Sequence, residues 1–113
     1  MTAAFDDTDT ITPQLDPDET VRAHVRALDA RIVVTDRRLA VAEQHRLALD
    51  VGFDNVRRIQ FDIERRRPAT LVIVPEHPSY EAQVLSIPPE QYEAVGAALA
   101  FVGQMIADKA PPG

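Results

Sequence analysis

Cysteine is absent from the 113 residues of this chain, and its absence excludes several kinds of site. There can be no disulfide framework, no thiolate zinc site and no cysteine nucleophile. Long apolar runs are missing too, since none approaches the roughly 20 residues of a membrane-spanning helix. Residues 1–9 also lack the positive start and apolar core of a signal peptide. These absences predict a soluble, cytoplasmic protein without a transmembrane segment.

Positive charge is absent from the first nineteen residues, where six acids are concentrated: Asp6, Asp7, Asp9, Asp16, Asp18 and Glu19. The formal net charge is -6, but the remainder of the chain is close to neutral and its positive charge is almost entirely arginine. This balance argues against general binding to nucleic acid or anionic lipid. We expect residues 1–18 to form a disordered acidic tail, with an arm that docks on a partner as the alternative. Residues 19–109 would form one domain and residues 110–113 a flexible C-terminus.

Alternation of apolar and polar residues predicts seven short strands over the middle of the chain. Their predicted positions are residues 21–27, 31–35, 39–43, 46–51, 56–64, 70–74 and 81–87. The connections are brief, including one at Gln44-His45, and such connections favour antiparallel pairing. The segment 70–74 is apolar throughout, which is typical of a strand covered on both faces.

Helical periodicity replaces the alternation after Pro88-Pro89-Glu90, a sequence that favours a helix start. Apolar residues then recur at spacings of three and four and form one stripe: Tyr92, Val95, Leu99, Val102 and Ile106, widened by Ala98, Phe101 and Met105. Gly96 and Gly103 lie inside this helix, where each costs up to about 1 kcal/mol relative to alanine. We expect close packing of the helix on the sheet to explain them, with close approach to a second copy as the alternative.

The segment Ile32-Val33-Val34-Thr35-Asp36-Arg37-Arg38-Leu39 resembles the strand-turn-strand of many bacterial pleckstrin-homology-like (PH-like) domains. The order of seven strands and one final helix is similar to that family as well. The resemblance implies a mainly β fold with one C-terminal α-helix, a PH-like seven-stranded antiparallel open barrel or orthogonal sandwich capped by the helix. It implies no particular activity, because such folds host many unrelated roles.

Phosphoinositide binding in the wider superfamily usually relies on basic residues around the loop between the first two strands. The corresponding segment here, Leu28-Asp29-Ala30-Arg31, offers one arginine beside one aspartate. A multiply charged head group needs several converging donors. This difference from the lipid-binding members therefore argues against phosphoinositide as the ligand.

Arginine clusters are the candidate binding residues: Arg37 and Arg38 in a turn, Arg57 and Arg58 on a strand, and Arg65, Arg66 and Arg67 in another turn. Each cluster also has a structural interpretation. Thr35 and Asp36 favour a turn, and Arg37 and Arg38 could pair with Asp50 or Glu43. The cluster at 65–67 could be a solvated turn, or the site where the acidic tail docks in the same or a neighbouring copy.

Catalytic chemistry is not indicated by any motif. The three histidines, His24, His45 and His77, lack the spacing of metal ligands. Ser79 and Ser86 lack the context of a nucleophile elbow, and the glycines are too far apart for a phosphate-binding loop. We predict no catalytic residues, no metal and no cofactor.

The sequence thus favours a non-catalytic protein-interaction module of PH-like type whose partner is unknown. Edge strands of an open barrel offer a route to a homo-oligomer by strand addition. The alternative is a membrane-surface or phosphate-ligand binding module that uses the same arginines. A small-molecule binder in the barrel mouth would need a pocket of converging polar groups.

Overall fold

A computed structural model describes residues 15–43 and 46–109. The rest of the predicted tail, the turn at Gln44-His45 and the C-terminal residues 110–113 lie outside the described residues. Within the described ranges, no helix combines the length and the apolar character needed to cross a membrane.

The first half of the domain is a four-stranded antiparallel sheet in the order β1-β2-β3-β4. Its strands are β1 (Val21–Arg26), β2 (Arg31–Thr35), β3 (Arg38–Ala42) and β4 (Leu47–Gly52). Sequential strands are neighbours because the connections between them are too short for a parallel crossover.

The second half is a three-stranded antiparallel sheet followed by the helix. Its strands are β5 (Val56–Asp62), β6 (Ala69–Pro75) and β7 (Gln83–Ile87), and the helix is α1 (Tyr92–Lys109). One 3-10 turn, Phe53–Asn55, joins the two sheets, and another, Pro89–Gln91, leads into α1. The backbone N–H of Leu28 donates to the carbonyl of Ser86, so the β1–β2 connection meets β7. This is the predicted fold class, with seven antiparallel strands and one C-terminal helix.

Both sheets and the helix share a single hydrophobic core. Val95, Ala98 and Val102 of α1 are at most 2% exposed, which confirms the predicted helical stripe. Two aromatic pairs also join the helix to the rest of the domain. Phe101 packs edge-on against Phe53 at a ring-centroid distance of 6.0 Å, and Tyr92 packs against Phe61 at 5.5 Å.

The strands covered on both faces are β2 and β3, not residues 70–74. In β6, Ala69, Leu71 and Ile73 are buried, whereas the residues between them are only half-buried. In β2 and β3 the outward-facing Val33, Ala40 and Ala42 are buried as well, in a small cluster with Leu15 and Leu47. The prediction for 70–74 was wrong because a run of β-branched residues does not reveal what covers the outer face of a sheet.

A β-bulge explains why Leu47 belongs to this outer cluster. Ala42 pairs with Leu47 and Val41 pairs with Leu49, so one extra residue, Ala48, lies between them in β4. The extra residue moves Leu47 away from the inner face that Leu49 occupies. Without the bulge, simple alternation would place these two leucines on the same side.

Gly96 and Gly103 lie on the exposed side of α1. A Cβ added at either position would meet no atom within 4 Å. The expectation that close packing on the sheet requires these glycines is therefore wrong. Their use in close approach to a second copy stays a prediction.

Gly103→Ala should consequently stabilise the domain, because the added methyl group has open space and alanine loses less backbone entropy in a helix. We expect a gain of about 1 kcal/mol, which raises the melting temperature of a domain of this size by roughly 4–8 °C. Ala100→Gly, on the same exposed side, is the matched control and should lower it by a similar amount. A Gly103→Ala variant with a lower melting temperature than the unmodified protein would contradict the open space around position 103.

Candidate functional site

Thr35 organises the turn between β2 and β3. Its buried hydroxyl accepts hydrogen bonds from the backbone N–H groups of Arg37 and Arg38, each at 3.0 Å. Asp36 joins the same turn to the chain entering β1. Its side chain accepts from the N–H of Thr20 at 3.1 Å, and its own N–H donates to the carbonyl of Thr20 at 3.0 Å. The motif at residues 35–39 is thus a turn that also fixes the segment before β1.

A buried carboxylate strengthens this attachment. The side chain of Glu19 is 0% exposed and binds Arg38 through both oxygens, at 2.8 Å to Nε and 3.0 Å to Nη2. The hydroxyl of Thr35 and the backbone N–H of Asp16 donate to the same carboxylate. Burial raises the pKa of Glu19, but these hydrogen bonds outweigh burial and hold the pKa below its ordinary value. Glu19 therefore stays ionised.

Arg37 and Arg38 are neutralised by acids of their own chain. Arg37 pairs with Asp16 at 2.9 Å and with Asp18 at 2.7 Å. The hydrogen bond from Arg37 is the main reason that the pKa of Asp18 lies below its ordinary value. Arg38 also reaches Asp50 at 3.2 Å, one of the two pairings proposed from sequence.

The described part of the acidic segment thus contacts Arg37 and Arg38, and not the cluster at 65–67. Glu43, the other acid proposed for these arginines, pairs with Arg46 at 2.6 Å. Sequence reasoning missed Glu19 as a partner of Arg38. The only signal available was a run of acids immediately before the first strand.

A second bulge brings Arg57 and Arg58 to the surface together. Val56 pairs with Pro75 and Arg58 pairs with Val74, so Arg57 has no partner residue on β6. Proline lacks a backbone N–H, and bulges are among the few places where a strand accommodates it. Arg57 and Arg58 are both exposed and line a shallow cleft of about 370 Å³ with Val74.

The remaining predicted arginines occupy the turn at the other end of β5. Arg65, Arg66 and Arg67 are exposed, and Arg66 has the positive φ of 65° that such a turn requires. Arg67 approaches Glu64 at 3.7 Å, with both side chains largely exposed. Among the described residues, Arg57, Arg58, Arg65 and Arg66 have no ion pair. We call these four residues and Arg67 the β5 arginine surface.

Another cleft, of about 460 Å³, lies between the end of β4 and the loop after β6. Asn55 holds this loop, since its side chain accepts from the N–H of His77 at 2.9 Å. Both the N–H and the hydroxyl of Ser79 reach Nδ1 of His77, at 3.1 and 2.6 Å. The two bonds belong to one tight turn, and no described residue bonds Nε2 to complete a catalytic triad.

The described histidines do not converge. Nε2 of His24 lies 3.3 Å from Nη1 of Arg31 on the first sheet, far in sequence from His77. Burial, followed by the charges of Arg31 and Arg26, lowers the pKa of His24. His45 lies outside the described ranges, and within them no three metal-ligating side chains come together.

Replacing Glu19 should give a pH-dependent loss of stability. Glu19→Gln should lower the free energy of unfolding by about 1–3 kcal/mol at neutral pH, because the charged hydrogen bonds are lost. A carboxylate with a lowered folded-state pKa stabilises above its ordinary pKa of 4.5, and this stabilisation is lost as pH falls through the folded-state value. Urea unfolding measured across pH should therefore show that the difference in unfolding free energy between the unmodified protein and Glu19→Gln becomes smaller in acid. The control Asp29→Asn changes an exposed loop carboxylate and should have little effect on stability at neutral pH. A stability difference between the unmodified protein and Glu19→Gln that does not change with pH would contradict the role of Glu19.

Isosteric replacement of Thr35 tests how much its hydroxyl group stabilises the β2–β3 turn. Thr35→Val keeps the shape of the side chain but leaves the amides of Arg37 and Arg38 without their acceptor, at a cost of about 1–3 kcal/mol. Thr35→Ser keeps the hydroxyl and should retain most of the stability. Equal unfolding midpoints for the two variants in urea would show that the hydroxyl contributes nothing.

No protein-family model matches the sequence, and no curated protein matches it either. Among solved structures, the fold is similar to that of a pleckstrin homology domain from Shewanella amazonensis, with a TM-score of 0.63. The match covers 88% of this chain and 95% of that chain, at 11% sequence identity. The chain therefore has a PH-like fold.

Proposed function

We propose that the chain is a non-catalytic protein-interaction module of PH-like type, and that the β5 arginine surface binds an acidic, extended segment of a protein partner. The observation that carries the proposal is the bulge that turns Arg57 and Arg58 outward together on an edge strand. Neither has a carboxylate partner among the described residues. By contrast, Arg37 and Arg38 are already paired with acids of the chain itself.

Apolar side chains beside these arginines support a protein partner. On the outer face of the second sheet, Arg58 pairs with Val74 and Val72 pairs with Val84. Val84 is 68% exposed. Protein interfaces are rich in arginine and combine it with apolar contacts, because the guanidinium group binds carboxylates in a fixed geometry and is weakly hydrated.

The distance between the two arginine groups favours an extended ligand. Arg58 and Arg65 are separated by seven positions of mostly extended chain, which corresponds to roughly 20 Å. A single phosphate group cannot contact both groups, whereas an extended peptide of about seven residues can. The distance therefore disfavours a single phosphate ligand, and binding to a membrane surface is an outcome of the test.

Fluorescence anisotropy with a labelled peptide of alternating aspartate and valine tests the proposal. Arg57→Ala with Arg58→Ala should weaken peptide binding by about tenfold, equivalent to 1.4 kcal/mol. Arg22→Ala is the matched control, since Arg22 is exposed on β1 and has no ion pair among the described residues. Flotation with vesicles of phosphatidylcholine and phosphatidylglycerol forms the second arm. Vesicle binding that depends on Arg57 and Arg58, without peptide binding, would overturn the proposal in favour of the membrane-surface alternative.

A further inference from the structure

We infer that the acidic segment recognised by the β5 arginine surface is residues 1–14 of a second copy of this chain. The inference rests on the proposed function, because it names the partner of that surface. Two copies would exchange these segments reciprocally. Such an exchange gives a two-fold dimer in which each copy contributes acids to the other's arginine site.

Residues 1–14 and the β5 arginine surface carry opposite charges. Residues 1–14 contain Asp6, Asp7 and Asp9 and no lysine or arginine. Phe5 and Ile11 flank these acids, so the segment also carries apolar groups for an exposed valine surface. Opposite charges across a contact steer association and select the partner.

The adjoining residues show that this part of the chain binds arginine. Asp16, Asp18 and Glu19 follow directly and pair with Arg37 and Arg38 at 2.7–3.0 Å. In the part of the chain that the structure describes, these acids pair with Arg37 and Arg38 and with no residue of the β5 arginine surface. Asp6, Asp7 and Asp9 continue this run of acids towards the N-terminus, and four arginines of the β5 arginine surface have no ion pair among the described residues.

The position of Leu15 favours a second copy over the same copy. Leu15 packs against the cluster of Val33, Ala40 and Ala42 on the outer face of the first sheet, whereas Arg58 and Val74 share the outer face of the second. The inner faces of both sheets meet in one core, so the outer faces point away from each other. A segment that leaves Leu15 must pass around the barrel to reach β5 of its own copy. Fourteen extended residues span up to about 50 Å, which is ample to reach an adjacent copy directly.

Charge reversal tests whether residues 1–14 of one copy bind the β5 arginine surface of another copy. The acid-reversed variant carries Asp6→Lys, Asp7→Lys and Asp9→Lys, and the arginine-reversed variant carries Arg57→Glu and Arg58→Glu. In sedimentation velocity, the unmodified chain should dimerise, and each variant alone should dimerise at least tenfold more weakly. An equimolar mixture of the two should regain the dimer, because both exchanged contacts are then between opposite charges.

Arg22→Glu with Arg26→Glu is the control, because it reverses two exposed arginines of β1 and should leave the dimer intact. Circular dichroism melts check that every variant is folded. A mixture that remains monomeric would overturn the inference. So would an arginine-reversed variant that dimerises as well as the unmodified chain.

Cross-linking gives an independent readout, since the chain has no cysteine of its own. Chains with Asp7→Cys, distinguished by an affinity tag, are mixed with chains carrying Arg58→Cys and oxidised. A disulfide-linked pair of one tagged and one untagged chain is expected. Arg22→Cys in place of Arg58→Cys should give at least tenfold less of this pair, and equal yields would overturn the inference.

The two proposals fail differently. If the aspartate–valine peptide binds through Arg57 and Arg58 but the mixed variants stay monomeric, the arginine surface serves another protein and only the present inference is wrong. If the peptide does not bind at all, the proposed function itself is wrong.

Discussion

The carboxylate of Glu19 is buried, and the arrangement of the first sheet depends on how it is compensated. Removing an ionised carboxylate from water is costly unless donors surround it. Four donors do so here: two N–H groups of Arg38, the hydroxyl of Thr35 and the amide of Asp16. These groups come from the N-terminal segment, the end of β2 and the start of β3. One charge therefore locks three parts of the chain together, and it holds Leu15 close to the outer face of β2 and β3.

This compensation separates the arginines of the β2–β3 turn from those of the β5 arginine surface. Those of the β2–β3 turn are internal partners whose charge is cancelled by neighbouring acids. Apart from Arg67, which approaches Glu64, those of β5 and the turn after it have no ion pair among the described residues, and Val84 of the same sheet is 68% exposed. The outer faces of the two sheets consequently differ: Val33 and Ala40 of the first are buried, whereas Arg58 and Val84 of the second are exposed.

Much of the fold could be predicted from periodicity, because alternation up to Ile87 and helical spacing after Pro89 report directly which side chains face the core. The bulges at Ala48 and Arg57 could not, since one extra residue leaves the composition of a strand unchanged. The pairing of Glu19 with Arg38 was also missed, because partners nineteen positions apart are set by tertiary structure. The candidate arginines were recognised by their density alone, and only the structure showed which of them are already paired.

The extra residue in β5 has an effect on solubility as well. A flat strand at the margin of a sheet is a template on which other chains can add strands without limit. Arg57 interrupts that template, since the local twist and two neighbouring positive charges both oppose a continuous ladder. The irregularity that leaves Arg57 and Arg58 exposed together thus also discourages unregulated polymerisation along the same margin.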